Sequence, residues 1–230
     1  MTRLGLFLAG AILLAPLSHA AAQDAPAATE KLTLKPHRVK GLLLGYGYTL
    51  GEYTGEVRSS GQSSRGPLFS SDKAKTTFTF GFTGSPKVVT VTCAGGESRI
   101  GLGWIDFKRE TLAYACQFEG GPPDAAFALA LSEGGIAARL YQPQRAGELT
   151  YGGVTVRAIT RKAAGALPVG GGTVMSYKIF RPDGQEVGAM VRGVLQPSFH
   201  VPPAGSPDRE AVALMGLILY TFADPANTQN

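Results

Sequence analysis

One uncharged apolar run near the C-terminus narrows the fold more than any other feature of this chain. Residues 211–223, AVALMGLILYTFA, carry no formal charge and are framed by Ser206-Pro207-Asp208-Arg209-Glu210 and by Asp224-Pro225. Pro207 suits a first helical position, Asp208 and Glu210 suit a first turn whose free N–H groups favour acids, and Pro225 suits a stop. The pattern predicts a helix near 207–223, about 25 Å long. Its apolar residues fall on every side, so it must be covered on every side. The uncharged core would reach only about 20 Å against a hydrocarbon layer of about 30 Å, which favours a buried helix over a membrane span.

The chain before this helix reads as strands. Phe78, Phe80 and Phe82 alternate with Thr77, Thr79 and Thr83, a period of two with one apolar face. Gly84-Ser85-Pro86-Lys87 turns into Val88–Cys93, Gly95-Gly96 turns again, Ile100, Leu102 and Trp104 continue on one face toward Phe107, and Lys108-Arg109-Glu110 is a charged connector to a run from Leu112 to Phe118. Phe127 to Leu131 against Ile136 to Tyr141, a strand near 153–160, and Tyr177–Phe180 joined to residues 186–194 through Arg181-Pro182-Asp183-Gly184 complete a series of hairpins. Ser59 to Arg65 reads as a polar loop. The glycines at 41, 45, 47, 51 and 55 alternate with Leu and Tyr as in a closely packed strand, and the stretch lacks the Lys-Ser or Lys-Thr of a phosphate loop. The expected fold is mainly β, an antiparallel barrel or curled sandwich packed around one hydrophobic C-terminal helix.

Residues 1–22 hold Arg3, an apolar stretch too short to span a bilayer and a small-residue end in which Ala20 and Ala22 fit cleavage before Gln23. That is the layout of a secretory signal peptide, so a soluble periplasmic or secreted protein is expected. Residues 23–30 read as a disordered spacer, and 31–230 as one β-rich domain. Loss of the leader removes Arg3 and no acid, so the formal charge becomes 21 − 17 = +4. Lys31, Lys35, Arg38 and Lys40 cluster with His37, a group suited to a solvated strand or, through simple electrostatics, to an anionic lipid or polymer of the envelope. Nucleic acid is disfavoured by export and by the lack of any basic and aromatic module of recognised spacing.

Cys93 and Cys116 are the chain's two cysteines, and an oxidising compartment makes a disulfide between them the expectation. Alternation puts both on the apolar faces of their strands. In a simple three-strand meander over 88–118 the outer strands would stand about 9.6 Å apart, beyond a disulfide's reach. Either the two cysteine strands become neighbours or face each other, or the thiols stay free.

Recognisable chemistry is sparse. His37 and His200 occupy unrelated contexts without metal-ligand spacing, and His200, between Phe199 and Val201, reads as structural. The chain lacks a G-x-S-x-G elbow. Asp106, Glu110 and Glu119 lie around one expected hairpin with Trp104 near by, which admits a glycosidase-like carboxylate pair but reads first as a charged turn and a core tryptophan. No catalytic residue, metal site or cofactor is assigned, and the ligand-binding residues are unknown at this level.

The run YKIFRPDGQEVG at 177–188, an extended link and the apolar C-terminal helix together resemble the end of tubby-like folds, the group that includes LURP-one-like and phospholipid-scramblase-like proteins. The likeness covers Met175 to Pro225 and implies a closed antiparallel barrel around a hydrophobic C-terminal helix. Export departs from that group's familiar members, and its lipid-contacting positions have no counterpart here. The functional expectation is an exported cell-envelope β domain acting as a non-catalytic binding or structural module. Two alternatives are an envelope polysaccharide hydrolase using carboxylates near Trp104, and a membrane-associated lipid-binding protein whose tail exposes Leu214, Leu217 and Ile218.

Overall fold

The computed structural model describes residues 28–42, 45–66, 69–95, 112–131, 145–161, 176–192 and 196–222. Within them the strands are β1 (Glu30–His37), β2 (Tyr46–Leu50), β3 (Tyr53–Gly66), β4 (Phe69–Phe82), β5 (Val88–Ala94), β6 (Leu112–Glu119), β7 (Ala126–Leu131), β8 (Arg145–Tyr151), β9 (Val154–Arg161), β10 (Ser176–Phe180), β11 (Glu186–Val191) and β12 (Ser198–Val201). One helix, α1 (Arg209–Thr221), follows. Each strand pairs antiparallel with its neighbours in sequence, and β1 pairs with β12 from Glu30↔Val201 to Thr33↔Ser198, closing a twelve-stranded up-and-down barrel. Closure pairs the first and last strands of the wall with each other, so neither ends it as an edge.

Apart from the two-residue β3–β4 connection, the shorter turns and the longer connections lie at opposite ends. The β8–β9 turn is Gly152-Gly153 with φ of 61° and 81°, left-handed values that suit glycine in a two-residue hairpin. The Asp124 carboxylate, in the β6–β7 turn, accepts hydrogen bonds from both of these backbone N–H groups at 3.1 and 2.6 Å. The β2–β3, β4–β5 and β10–β11 turns lie at this same end, as does the start of α1. The connections β1–β2, β5–β6, β7–β8 and β9–β10 leave from the other end.

Alternation decides the two faces of the wall. Phe78, Phe80, Val89, Val91, Phe127, Leu129, Leu149, Val156, Tyr177 and Ile179 point inward and are buried. Thr77 and Thr92 meet on the outside at 3.3 Å, as do Thr150 and Thr155 at 3.1 Å. Among the described residues only Phe82, Val88 and Ile159 are large apolar side chains left exposed. A barrel embedded in lipid carries an apolar outer band, and this wall has the reverse polarity. No described helix is long and apolar enough to cross a membrane.

α1 fills the barrel. From Ala211 to Leu219 every residue is buried, a sweep of two and a half turns that leaves no solvent face. The approach is close. A Cβ on Gly216 would stand 2.7 Å from Phe199 Cδ1, and one on Gly188 of β11 would stand 2.5 Å from Val212 Cγ1. The barrel around a hydrophobic helix is therefore the architecture that the apolar run and the β alternation call for.

Four local expectations are corrected. Residues 59–65 are not a loop, because β3 and β4 pair without interruption from Val57↔Phe78 to Gly66↔Phe69 and form a two-stranded ribbon past the ends of β2 and β5. Ladder hydrogen bonds, not an apolar face, hold that ribbon, so alternation could not reveal it. No third strand separates the cysteine strands, since β5 and β6 are direct neighbours; Ile100, Leu102 and Trp104 lie outside the described residues. β7 is flanked by β6 and by β8, so both its edges are taken, and residues 136–141 also lie outside the described residues. Finally, α1 begins at Arg209. Asp208 occupies the cap position without capping, because its carboxylate accepts the Arg181 guanidinium instead, Nε to Oδ2 2.8 Å.

Leu217→Asp is expected to abolish cooperative unfolding, because an unpaired charge would enter a site with no solvent exposure. Gly188→Val is expected to lower stability by about 1–3 kcal/mol through overpacking. Urea denaturation followed by circular dichroism checks both, and a Leu217→Asp protein that stays folded would mean that the helix is not enclosed.

Candidate functional site

The filled interior restricts where a site can be. Tyr48, Tyr53, Tyr114, Tyr177, Phe78, Phe80, Phe127 and Phe199 project from the wall into the same core cluster as the helix side chains. Leu214, Leu217 and Ile218 are fully buried and present no face to lipid or to a partner. Chemistry is left to the barrel ends and the outer wall.

The end that holds the helix start is closed by Arg209, which is only 6% exposed. Its Nε donates to Glu52 Oε1 at 2.5 Å, one Nη to Glu52 Oε2 at 3.1 Å, and the other Nη lies 2.8 Å from Glu30 Oε2 and also donates to the Pro202 carbonyl. One guanidinium thus ties the first helical residue to β1, to the β2–β3 turn and to the residue after β12, which are the elements that meet at the closing seam. Arg181 braces the same end by donating to Asp208 and Gln185.

Two carboxyls here are pushed in opposite directions. Hydrogen bonding from Arg209 holds Glu52 below the usual carboxylate range. Burial raises Glu210, a change that a hydrogen bond from Tyr151 partly offsets. Tyr151 is itself pushed up to about 12, chiefly by burial, with Glu210 contributing. The charged partners at this end are committed to one another and tie the helix start to the wall.

The opposite end is held by Arg192, whose guanidinium donates to the Tyr220 and Phe222 carbonyls at 2.5 and 3.0 Å. Those are the unpaired acceptors of a helix C-terminus, where a cation is favoured. The buried Arg145 guanidinium stands 5.9 Å from the centre of the Phe222 ring.

Cys93 and Cys116 sit directly opposite each other on β5 and β6 and form a disulfide with a Cα–Cα distance of 4.0 Å. The bond staples the two strands whose connection, residues 95–111, is the longest between neighbouring strands of the wall. It faces the core rather than solvent. The structure does not bring the candidate carboxylates together in view: Glu119 is exposed and paired with Thr90, while Asp106, Glu110 and Trp104 lie outside the described residues. β6 runs about 23 Å from Leu112 to Glu119, which puts Glu119 at the short-turn end. His37 is on β1 and His200 on β12, both facing outward, and Gly170 to Gly172 lie outside the described residues. Among the described residues no group of three or more His, Cys, Asp or Glu is placed to hold a metal ion. The Arg209 knot was not legible in the sequence, because its members are up to about 180 residues apart; the one local signal was an arginine at the mouth of an apolar helix.

Comparison with protein-family models, curated proteins and solved structures finds no match to this chain.

Stability should depend on pH through both carboxyls, with opposite signs. The lowered Glu52 contributes stability that is present above its unfolded pKa and lost as pH falls through its folded one, so Glu52→Gln should depress the melting temperature at pH 7 and matter less in acid. The raised Glu210 costs stability once pH exceeds its unfolded pKa, in full above its folded one. Glu210→Gln should therefore leave the melting temperature unchanged or raised at pH 7, with no gain near about pH 4, where the wild-type carboxyl is largely protonated in both states. Scanning calorimetry across that range checks both signs.

Replacing both cysteines by alanine should cost about 3 kcal/mol, the loop-closure value for a separation of 23 residues, read as a lower urea midpoint.

Proposed function

We propose that this chain is an exported β-barrel of the cell envelope that serves as a non-catalytic binding or structural module, making its contacts on the outer wall. The observation that carries this reading is the occupied interior: α1 takes the space in which a barrel of this size would hold a ligand. The Cys93–Cys116 bridge is the kind of bond that oxidising compartments preserve, and it agrees with the leader-like residues 1–22. A barrel around an apolar C-terminal helix is also what the tubby-like resemblance implies. We read the chain as an exported variant of that architecture, without its lipid-contacting residues.

Production of the full-length chain in a bacterial host tests this. The expected product is a periplasmic or secreted protein starting at Gln23, with both cysteines resistant to alkylation in denaturant until reductant is added. An uncleaved cytoplasmic protein with two reactive thiols would overturn the exported reading.

A further inference from the structure

The outer wall is not uniform in charge, and one sector is basic without counter-charge among the described residues. On β1 the inward positions are Leu32 and Leu34, and the outward ones are Lys31, Thr33, Lys35 and His37, of which Lys31, Lys35 and His37 are exposed. Arg38 and Lys40 follow directly and are exposed too. The flanking strands, SFHV in β12 and YGYTL in β2, contain no acid. Their register sets His200 beside Lys31, Ser198 beside Thr33, Thr49 beside Lys35 and Gly47 beside His37. The His37 ring lies over Gly47, where a Cβ would come within 2.4 Å of Nε2.

Two described carboxylates on β1 and β3 are already engaged. Glu30 at the head of β1 pairs with Arg209 at 2.8 Å, and Glu56 on β3 pairs with Arg58 at 3.2 Å. None of Lys31, Lys35, Arg38 or Lys40 forms an ion pair with a described residue. The wall elsewhere differs: Arg157 on β9 is matched by Glu148 at 2.7 Å, and Lys178 on β10 by Glu186.

We propose that this strip along β1 binds a linear acidic polysaccharide. The inference rests on the outer-wall reading above and names the ligand class. The basic side chains lie along one strand and the residues after it, with Lys31 and His37 about 20 Å apart, which suits an extended polyanion better than a compact anion. Hydroxyls of Thr33, Ser198 and Thr49 and the two imidazoles line the row and can exchange hydrogen bonds with sugar hydroxyls. Apart from the two imidazoles, no described outward side chain of the strip is aromatic or large and apolar, so it lacks a Phe, Tyr or Trp platform for stacked bases and a wedge for a bilayer. Exposed charges act weakly one at a time and are screened by salt, so binding is the sum of several contacts and falls as ionic strength rises.

Isothermal titration of the purified protein with polygalacturonate tests the proposal, with uncharged dextran as the control polymer. Binding at about 50 mM salt should be lost at high salt, where the screening length shrinks to a few ångströms, and dextran should not bind. Lys35→Gln/Arg38→Gln should weaken polygalacturonate binding about tenfold or more, since it removes two of the clustered charge contacts. Lys31→Gln/Lys40→Gln should do the same, and serves if the first pair perturbs folding. Lys75→Gln/Lys87→Gln, the same change in net charge made elsewhere, should leave binding nearly unchanged. Absence of polygalacturonate binding, or equal weakening by strip and control pairs, would overturn the proposal. So would tighter strip-dependent binding to phosphatidylglycerol vesicles or to a single-stranded oligonucleotide. These outcomes are separable from the test of export, because titration of purified protein is independent of where the cell delivers it.

Discussion

The mutual need of barrel and helix underlies the rest of the structure. Around eight strands give a barrel narrow enough for its own inward side chains to fill, and wider ones enclose a channel or a ligand unless something else occupies the centre. Twelve strands here leave room that the wall side chains do not fill alone. A helix that is apolar all round cannot sit on a surface, because one face would always meet water. Each element resolves the other's problem, and glycine at 188 and 216 is what the fit leaves room for.

That dependence explains where polar residues are spent. The wall closes by pairing β1 with β12, elements about 170 residues apart, so closure must offset a large loss of chain freedom. Arg209 stands at that seam and ties the incoming helix to β1 and to the β2–β3 turn, while Arg192 serves the carbonyls at the far end of the helix. The disulfide does similar work between β5 and β6, joining two strands separated by 17 residues of connecting chain. The described interior is filled, one end is bound by internal ion pairs and the helix end opposite by Arg192, so among the described residues the outer wall carries the uncommitted groups. On β1, Lys31 and Lys35 pair with no described acid.

Much of the architecture was legible because its signals are local and periodic. Phe78, Phe80 and Phe82 in alternation with threonine, the turn Pro182-Asp183-Gly184 and the uncharged run from Ala211 each depend on neighbours a few residues away. The β3–β4 ribbon was missed because serine, glycine and glutamine give no apolar face, although their backbones pair as well as any others. The start of the helix was set slightly early because the Asp208 carboxylate, a good cap by composition, is drawn to Arg181, 27 residues earlier in the chain. The basic cluster at 31–40 was visible in sequence, but whether acids faced it was not.

The sequence by itself determined the class of the fold, the identity of the buried helix and the pair of cysteines, because periodicity, charge depletion and residue count do not need a partner to be read. Tertiary structure alone decided that β5 and β6 are adjacent, that Arg209 meets Glu30 and Glu52, and that the strands beside β1 bring no acid to its lysines. Those are relations between distant segments. They depend on which strands become neighbours when the sheet closes, and closure is a property of the whole chain that no local pattern carries.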